Sequence, residues 1–98
     1  MKEKNIAQFH EEQLKKFGKR LRQIRKARKM SQVDLEVASG IYIAEISKME
    51  NGLQNLEFYT LSKLAFVLKV EIQDFFRFDL LPSEGIEKKW LAYRTVTW

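Results

Sequence analysis

The stretch SQVDLEVASGIYIAEISKMENG, residues 31–52, is the most informative part of the sequence, because it predicts two short helices joined by a tight turn. Ser31 can cap the first helix, since its hydroxyl can accept a hydrogen bond from a free backbone N–H, and Asp34 follows three residues later. Gly40 stands where a left-handed backbone ends that helix. The second helix is predicted from apolar residues at helical spacing, which are Ile43, Ile46 and Met49.

The length and spacing of this stretch are typical of the helix-turn-helix unit, whose second helix lies in the major groove of DNA. The residues also resemble the phage repressor and Cro type of protein, often called the Xre family. Over about residues 17–76, the resemblance implies an all-α, five-helix, repressor-like helix-turn-helix domain that binds duplex DNA. The residues that carry the resemblance are Arg25, Ser31, Gln32, Leu35, Gly40, Ile46, Ser47, Glu50 and Gly52.

Three positions depart from the pattern of the family. Glu36 stands where the family usually has Ala, because the two helices of the unit approach each other closely there. Residues 55–57 read NLE where the family prefers Asn-Pro-Ser before the fourth helix. Ile43 and Ala44 occupy the opening of the recognition helix, where a polar residue is common. The first departure concerns helix packing, and the last concerns how bases are read.

Apolar periodicity divides the chain into three parts. Residues 1–13 are an N-terminal extension that can continue the first helix, with Asn5 as its candidate cap. Residues 14–78 form the helix-turn-helix domain, with one helix before the central stretch and two after it. Residues 79–98 are a short C-terminal tail rich in aromatic side chains, for which helix and strand both stay open. We interpret this tail as a dimerisation or docking segment.

The charge of the chain is distributed unevenly. Residues 1–30 hold eleven Lys and Arg against three Glu, a net charge of +8, whereas residues 31–98 hold seven Lys and Arg against ten acids, a net charge of −3. A cation-rich segment indicates a polyanionic partner, although such runs are more often solvated helix faces. Beside a helix-turn-helix pattern we favour contact with DNA phosphates.

Several classes of function are disfavoured. The chain has no cysteine for a disulfide or thiolate site, and its one histidine, His10, lacks a companion ligand for a metal. It shows neither a catalytic motif nor an apolar run near the ~18–20 residues of a membrane helix. The N-terminus lacks the apolar core of a signal peptide. We therefore expect a cytoplasmic protein that is not an enzyme and uses no cofactor, metal or small-molecule ligand.

The resemblance implies a set of DNA contacts. Gln32 would grip a phosphate, although it could equally be a solvated residue of its helix, and Asn51 could equally be a helix stop. Lys48 is the best candidate for reading a base, because an ammonium can donate to guanine O6 and N7. Ile43 could contact only a thymine methyl group. The cation-rich first helix adds Arg22 and Lys29, so the full set of candidates is Arg22, Lys29, Gln32, Tyr42, Ile43, Ala44, Glu45, Lys48 and Asn51.

Two further groups of residues have expected structural roles. In the family, the positions of Arg25 and Glu50 form an ion pair that joins the first helix to the end of the recognition helix. Aromatic residues that one small core cannot all bury predict a dimer interface, for which the candidates are Phe75, Phe76, Phe78 and Trp90.

We therefore expect a sequence-specific transcriptional regulator, a repressor or autoregulator, that binds a palindromic operator in double-stranded DNA as a homodimer. Small size also suits a controller protein of a restriction–modification system or the DNA-binding partner of a toxin–antitoxin pair. An alternative of another class is a helix-turn-helix module that binds protein, which the apolar Ile43 and Ala44 would favour.

Overall fold

The computed structural model describes residues 5–78, which are helical throughout their regular segments and contain no strand. The expected tail, including Trp90, lies outside the described residues. The predicted fifth helix is a 3-10 helix of five residues, so the five-helix expectation holds only in part. The elements are α1 (Ile6–Ala27), α2 (Gln32–Ser39), α3 (Ile43–Glu50), α4 (Phe58–Leu68) and the 3-10 helix (Ile72–Phe76).

Helix α1 begins before the core and includes most of the N-terminal extension. Asn5 caps it in a reciprocal capping box, in which the Gln8 backbone N–H donates to the Asn5 side-chain oxygen at 2.8 Å. The first turn is exposed, with Ile6 at 88% and Phe9 at 53%. His10 donates from Nε2 to the side-chain oxygen of Asn55 at 2.6 Å, which joins this part of α1 to the loop before α4. The extension is thus a continuation of α1 from residue 6 onward.

Helix α2 starts and stops as its sequence predicts. The hydroxyl of Ser31 accepts from the Asp34 N–H at 3.0 Å, and the Asp34 carboxylate accepts from the Ser31 N–H at 2.8 Å. Hydrogen bonds that the Asp34 carboxylate accepts from Ser31, first from the backbone N–H and then from the side chain, lower the pKa of Asp34. Gly40 has a φ of 76°, a left-handed conformation that glycine adopts without steric cost.

A single core lies where α1, α3, α4 and the 3-10 helix meet, and Leu35 of α2 closes it. Phe75 is fully buried in this core, with its ring centroid 5.6 Å from that of Phe17. The prediction that Phe75 belongs to a dimer interface is therefore wrong, because its side chain has no accessible surface to offer a second copy. Phe76 and Phe78 remain partly exposed, at 46% and 38%.

Arg20 of α1 and Arg28, the C-cap residue of that helix, hold the domain together. Neither of them forms part of a solvated cationic face. Arg20 is only 2% exposed, and its Nε donates to the carbonyl oxygen of Asp74 in the 3-10 helix at 3.0 Å. Arg28 donates from Nε to the carbonyl oxygen of Leu68 at 2.6 Å and from an Nη atom to that of Lys69 at 3.0 Å. The latter contacts satisfy carbonyls at the C-terminus of α4, which a helix cannot satisfy internally.

Candidate nucleic-acid interface

The C-terminal end of α3 lies directly against α1, and Gly18 makes this approach possible. A Cβ atom placed on Gly18 would lie 2.6 Å from the carbonyl oxygen of Glu50 and would also collide with that of Met49. Gly52 makes a similar approach just after α3: its φ is 70°, and a Cβ there would lie 2.8 Å from Cα of Lys15. The two glycines therefore bring the backbone of α3 closer to α1 than larger residues would allow.

The expected contact between Arg25 and Glu50 is present and links the same two helices. Arg25 donates from Nε and Nη2 to the two carboxylate oxygens of Glu50 at 2.6 and 2.9 Å, with the side chains only 8% and 4% exposed. The hydrogen bond to Glu50 raises the pKa of Arg25 above its usual value, so the guanidinium stays charged. Arg25 also donates to the carbonyl oxygen of Met30 at 2.9 Å, and this contact includes the α1–α2 connection in the network.

Gln32 joins this network from the first position of α2. Its side-chain amide donates to a carboxylate oxygen of Glu50 at 3.2 Å, and the side chain is half-buried. An amide nitrogen carries two hydrogens, so one donor is left for another acceptor. Gln32 is therefore held in place by the Arg25–Glu50 pair, an arrangement that its sequence position alone did not indicate.

Glu36, which departs from the family pattern, acts on the N-terminus of α3. Its carboxylate accepts a hydrogen bond from the Ile43 backbone N–H at 2.8 Å. Tyr42, the N-cap residue of α3, makes no side-chain capping bond. A carboxylate at this position satisfies an otherwise free donor and is favoured by the positive end of the helix dipole. The sequence analysis did not predict this role of Glu36. Tyr42 directly before α3 was a signal, because Tyr is not a usual N-cap residue and the free N–H groups of the first turn then need another acceptor.

The side of α3 that points away from the core carries most of the base-reading candidates. Tyr42, Ile43, Ala44, Glu45 and Lys48 are all exposed, and none of their side chains enters the core described above. Ile46 and Met49, on the opposite side, are buried in it. Helix α3 thus presents one complete side to solvent.

Asn51 follows α3 and has a local role. Its side-chain amide donates to the carbonyl oxygen of Ser47 at 2.9 Å, which supports the interpretation as a helix stop. The residue is exposed, so its side-chain oxygen can still accept a hydrogen bond from another molecule.

The exposed cations of α1 fall on two sides of the helix. Arg22 is exposed and lies four residues after Gly18 and three before Arg25, so it shares the side of α1 that meets α3. Lys16 lies on the other side, with Nζ 5.9 Å from the ring centroid of Phe78, and Lys19 lines the same surface depression. Lys29, also exposed, follows α1 with a φ of 58°. Only some of the exposed cations of α1 therefore lie beside α3.

Within residues 5–78, no three His, Cys, Asp or Glu side chains are grouped closely enough to hold a metal ion. In the same part of the chain, no helix combines the length and apolar character needed to cross a membrane.

Comparisons with known proteins agree with this geometry. Residues 21–75, more than half of the chain, match the family described as "Helix-turn-helix". The HTH-type transcriptional regulator RghRB of Bacillus subtilis (strain 168), itself uncharacterized, is 45% identical over 90 residues, which cover 81% of this chain. The match takes in 65% of RghRB, so this chain spans less than two thirds of that relative's length.

A solved structure is also similar. The restriction-modification controller protein C.AhdI of Aeromonas hydrophila superposes with a TM-score of 0.62 at 35% sequence identity, covering 63% of this chain and 94% of that one. The match to the family over more than half of the chain, with the helix, turn and helix in place, shows that this chain belongs to the Xre-type helix-turn-helix family of DNA-binding transcription regulators.

Proposed function

We propose that this chain is a sequence-specific transcriptional regulator, a repressor or autoregulator, that acts in the cytoplasm as a dimer on a palindromic operator. The observation that carries the proposal is the contrast within α3. Its buried side is held by Gly18, Arg25 and the core, while its exposed side, with Ala44 and Lys48, has no part in the core. A rigidly held helix with one side free is what major-groove reading requires.

The DNA contacts divide into two groups in this proposal. The exposed side of α3 reads bases through Tyr42, Ile43, Ala44, Glu45 and Lys48. The phosphate contacts come from residues beside α3 and at the start of α2, where exposed cations and a free amide donor lie close to the Arg25–Glu50 pair. These residues are Arg22, Lys29, Gln32 and Asn51.

The dimer is proposed to form around the 3-10 helix and the C-terminal tail. Phe76 and Phe78 pack edge to face with ring centroids 6.2 Å apart and remain partly exposed. A second copy related by two-fold symmetry would cover them, together with Trp90 and the rest of residues 79–98. Two recognition helices about 34 Å apart would then match one turn of DNA.

A restriction–modification controller is a second candidate, favoured by the likeness to C.AhdI over 94% of that protein. Such a controller would regulate nearby nuclease and methylase genes. Finding these genes beside the one for this chain would support this candidate, whereas their absence would favour a regulator of other genes.

A salt titration tests DNA binding. The affinity of the purified chain for a random labelled duplex is measured between about 50 and 200 mM salt, where ~6–10 phosphate contacts predict a loss of roughly 10³–10⁵-fold. Selection from a randomised duplex library then tests sequence specificity. Salt-insensitive binding with no enriched sequence would contradict the proposal and favour the protein-binding module.

Sedimentation of the full chain at micromolar concentration tests the dimer. Phe78→Ser should shift the equilibrium toward monomer, because it replaces an exposed aromatic side chain of the proposed interface. Phe66→Ser is the matched control, since Phe66 is 78% exposed but lies on α4. A monomeric parent chain would contradict the proposed dimer. Dissociation caused by Phe66→Ser and not by Phe78→Ser would place the dimer interface elsewhere.

A further inference from the structure

The exposed side of α3 offers methyl groups and acceptors but few donors. Ile43 and Ala44 are exposed in its first turn, and Tyr42 just before them is 72% exposed. Lys48 is the only cation of the helix. The first turn therefore lacks the Asn, Gln or Arg side chains that make bidentate hydrogen bonds to purines.

The N-terminus of α3 is also poorly suited to a phosphate. A helix N-terminus attracts anions through its free N–H groups and the positive end of its dipole. Here the Glu36 carboxylate already accepts from the Ile43 N–H at 2.8 Å. Glu45, exposed in the first turn, adds a second negative charge. The first turn of α3 is thus better matched to base edges than to the DNA backbone.

We propose that Ile43 and Ala44 recognise the C5-methyl groups of thymine in the major groove, and that Lys48 reads a guanine in the same half-site. This inference rests on the proposed function. The thymine methyl is the apolar group that a base edge presents in that groove, and guanine offers the O6 and N7 acceptors that an ammonium prefers.

The separation of these residues sets the spacing of the half-site. Lys48 lies four residues after Ala44, which is about 6 Å along the helix axis. At ~3.4 Å of DNA axis for each base pair, this distance corresponds to at most about two base pairs, because a helix in the major groove is inclined to the DNA axis. Each half-site therefore combines thymine methyl groups with a guanine within about two base pairs.

Removing the methyl groups from DNA tests the inference on whichever sequence the chain selects. Sequences are first enriched from a randomised duplex library, and the best of them is then prepared with thymine or with deoxyuridine, which lacks only the C5-methyl. Affinity should fall about fourfold for each contacted methyl, as expected from the burial of one such group. Deoxyuridine placed at single positions should reduce affinity only at the contacted thymines, and an unselected duplex should bind equally in both forms.

Protein variants assign the effect to residues. Ile43→Ala removes methyl-contacting surface but keeps the backbone N–H that donates to the Glu36 carboxylate. For this variant, the ratio of the affinity for thymine DNA to that for deoxyuridine DNA should fall toward one. Val37→Ala is the matched control, because Val37 is 80% exposed on α2 and should leave the ratio unchanged. Thermal unfolding of each variant checks the fold, and the comparison on the parent chain stands even if Ile43→Ala does not fold.

The outcomes separate this inference from the proposed function. An enriched sequence that loses affinity at specific deoxyuridines supports both. An enriched sequence that binds equally with thymine and with deoxyuridine overturns the recognition of methyl groups, while the proposed function as a regulator stands. Failure to enrich any sequence, with salt-insensitive binding, overturns both and indicates that the apolar side of α3 binds a protein.

Discussion

The two sides of α3 differ in what holds them and in what they can do. On the buried side, Ile46 and Met49 enter the core and Glu50 pairs with Arg25, so a change there alters the position of the helix. On the exposed side, Ala44 and Lys48 contribute nothing to the core, so a change there alters only what the helix presents. We therefore expect that stability and DNA binding can be changed separately within this one short helix.

The largest effect is expected for the ion pair on the buried side. Glu50→Ala should lower the free energy of unfolding by about 3–5 kcal/mol, because it leaves the nearly buried Arg25 guanidinium without its carboxylate. Urea unfolding of Glu50→Ala, of Arg25→Ala and of the double variant should show a coupling free energy of about 0.5–3 kcal/mol between the two side chains. Strictly additive effects would show that the two side chains do not stabilise each other.

Gly18 should show the next largest effect on stability. Gly18→Ala should lower the free energy of unfolding by about 1–3 kcal/mol, because the new Cβ would collide with carbonyl oxygens at the end of α3. Elsewhere in a helix the same change would be stabilising by about 1 kcal/mol. Lys19→Ala, on an exposed position of α1, should change little. A more stable Gly18→Ala variant would mean that α1 and α3 are less closely packed than described.

Lys48 tests the exposed side. Lys48→Gln should weaken binding to the preferred sequence by about 1–3 kcal/mol for each half-site, since each copy loses one base contact. The free energy of unfolding should stay within about 0.5 kcal/mol of the parent value. Lys63→Gln on α4 removes the same charge from a residue that stacks on Tyr59, and it should not affect DNA binding. Equal losses for both variants would show that Lys48 contributes only net charge.

The cations of α1 extend the comparison beyond α3. Arg22→Gln should flatten the salt dependence of binding by about one unit for each copy, or about two units for the proposed dimer, because each copy loses one phosphate contact. Lys16→Gln removes a charge from the side of α1 near Phe78 and should leave the slope unchanged. If the Lys16 variant alone changed the slope, DNA would lie against the opposite side of α1.

The smallest effect is expected at the start of α2. Hydrogen bonds from Ser31 lower the pKa of the Asp34 carboxyl in the folded state. The ionised carboxylate therefore stabilises the fold above the ordinary aspartate pKa of about 3.9. This stabilisation is lost as the pH falls through the lower pKa of the folded state. Thermal unfolding of the parent chain and Asp34→Asn should therefore differ at about pH 6 and converge as the pH falls below about 4. A difference that persists in acid would assign the effect to something other than the carboxylate charge.

Much of this architecture was predictable from the sequence because it depends on neighbouring residues. The capping box of Ser31 and Asp34 and the left-handed Gly40 involve groups within a few positions of one another. The Arg25–Glu50 contact spans 25 residues, and only the resemblance to a family implied it. The DNA-contact residues remain predictions, because exposure at a helix surface is equally typical of solvated residues.

Local sequence was sufficient to place the starts and ends of the helices in the central unit, since caps, turns and apolar spacing depend on residues within one or two helical turns. Tertiary packing was needed to establish that Glu36 caps α3, that Arg20 is buried, and that Phe75 belongs to the core while Phe76 is partly exposed. These roles depend on which surfaces of separate helices meet. That choice comes from the packing of the whole domain, which no local pattern specifies.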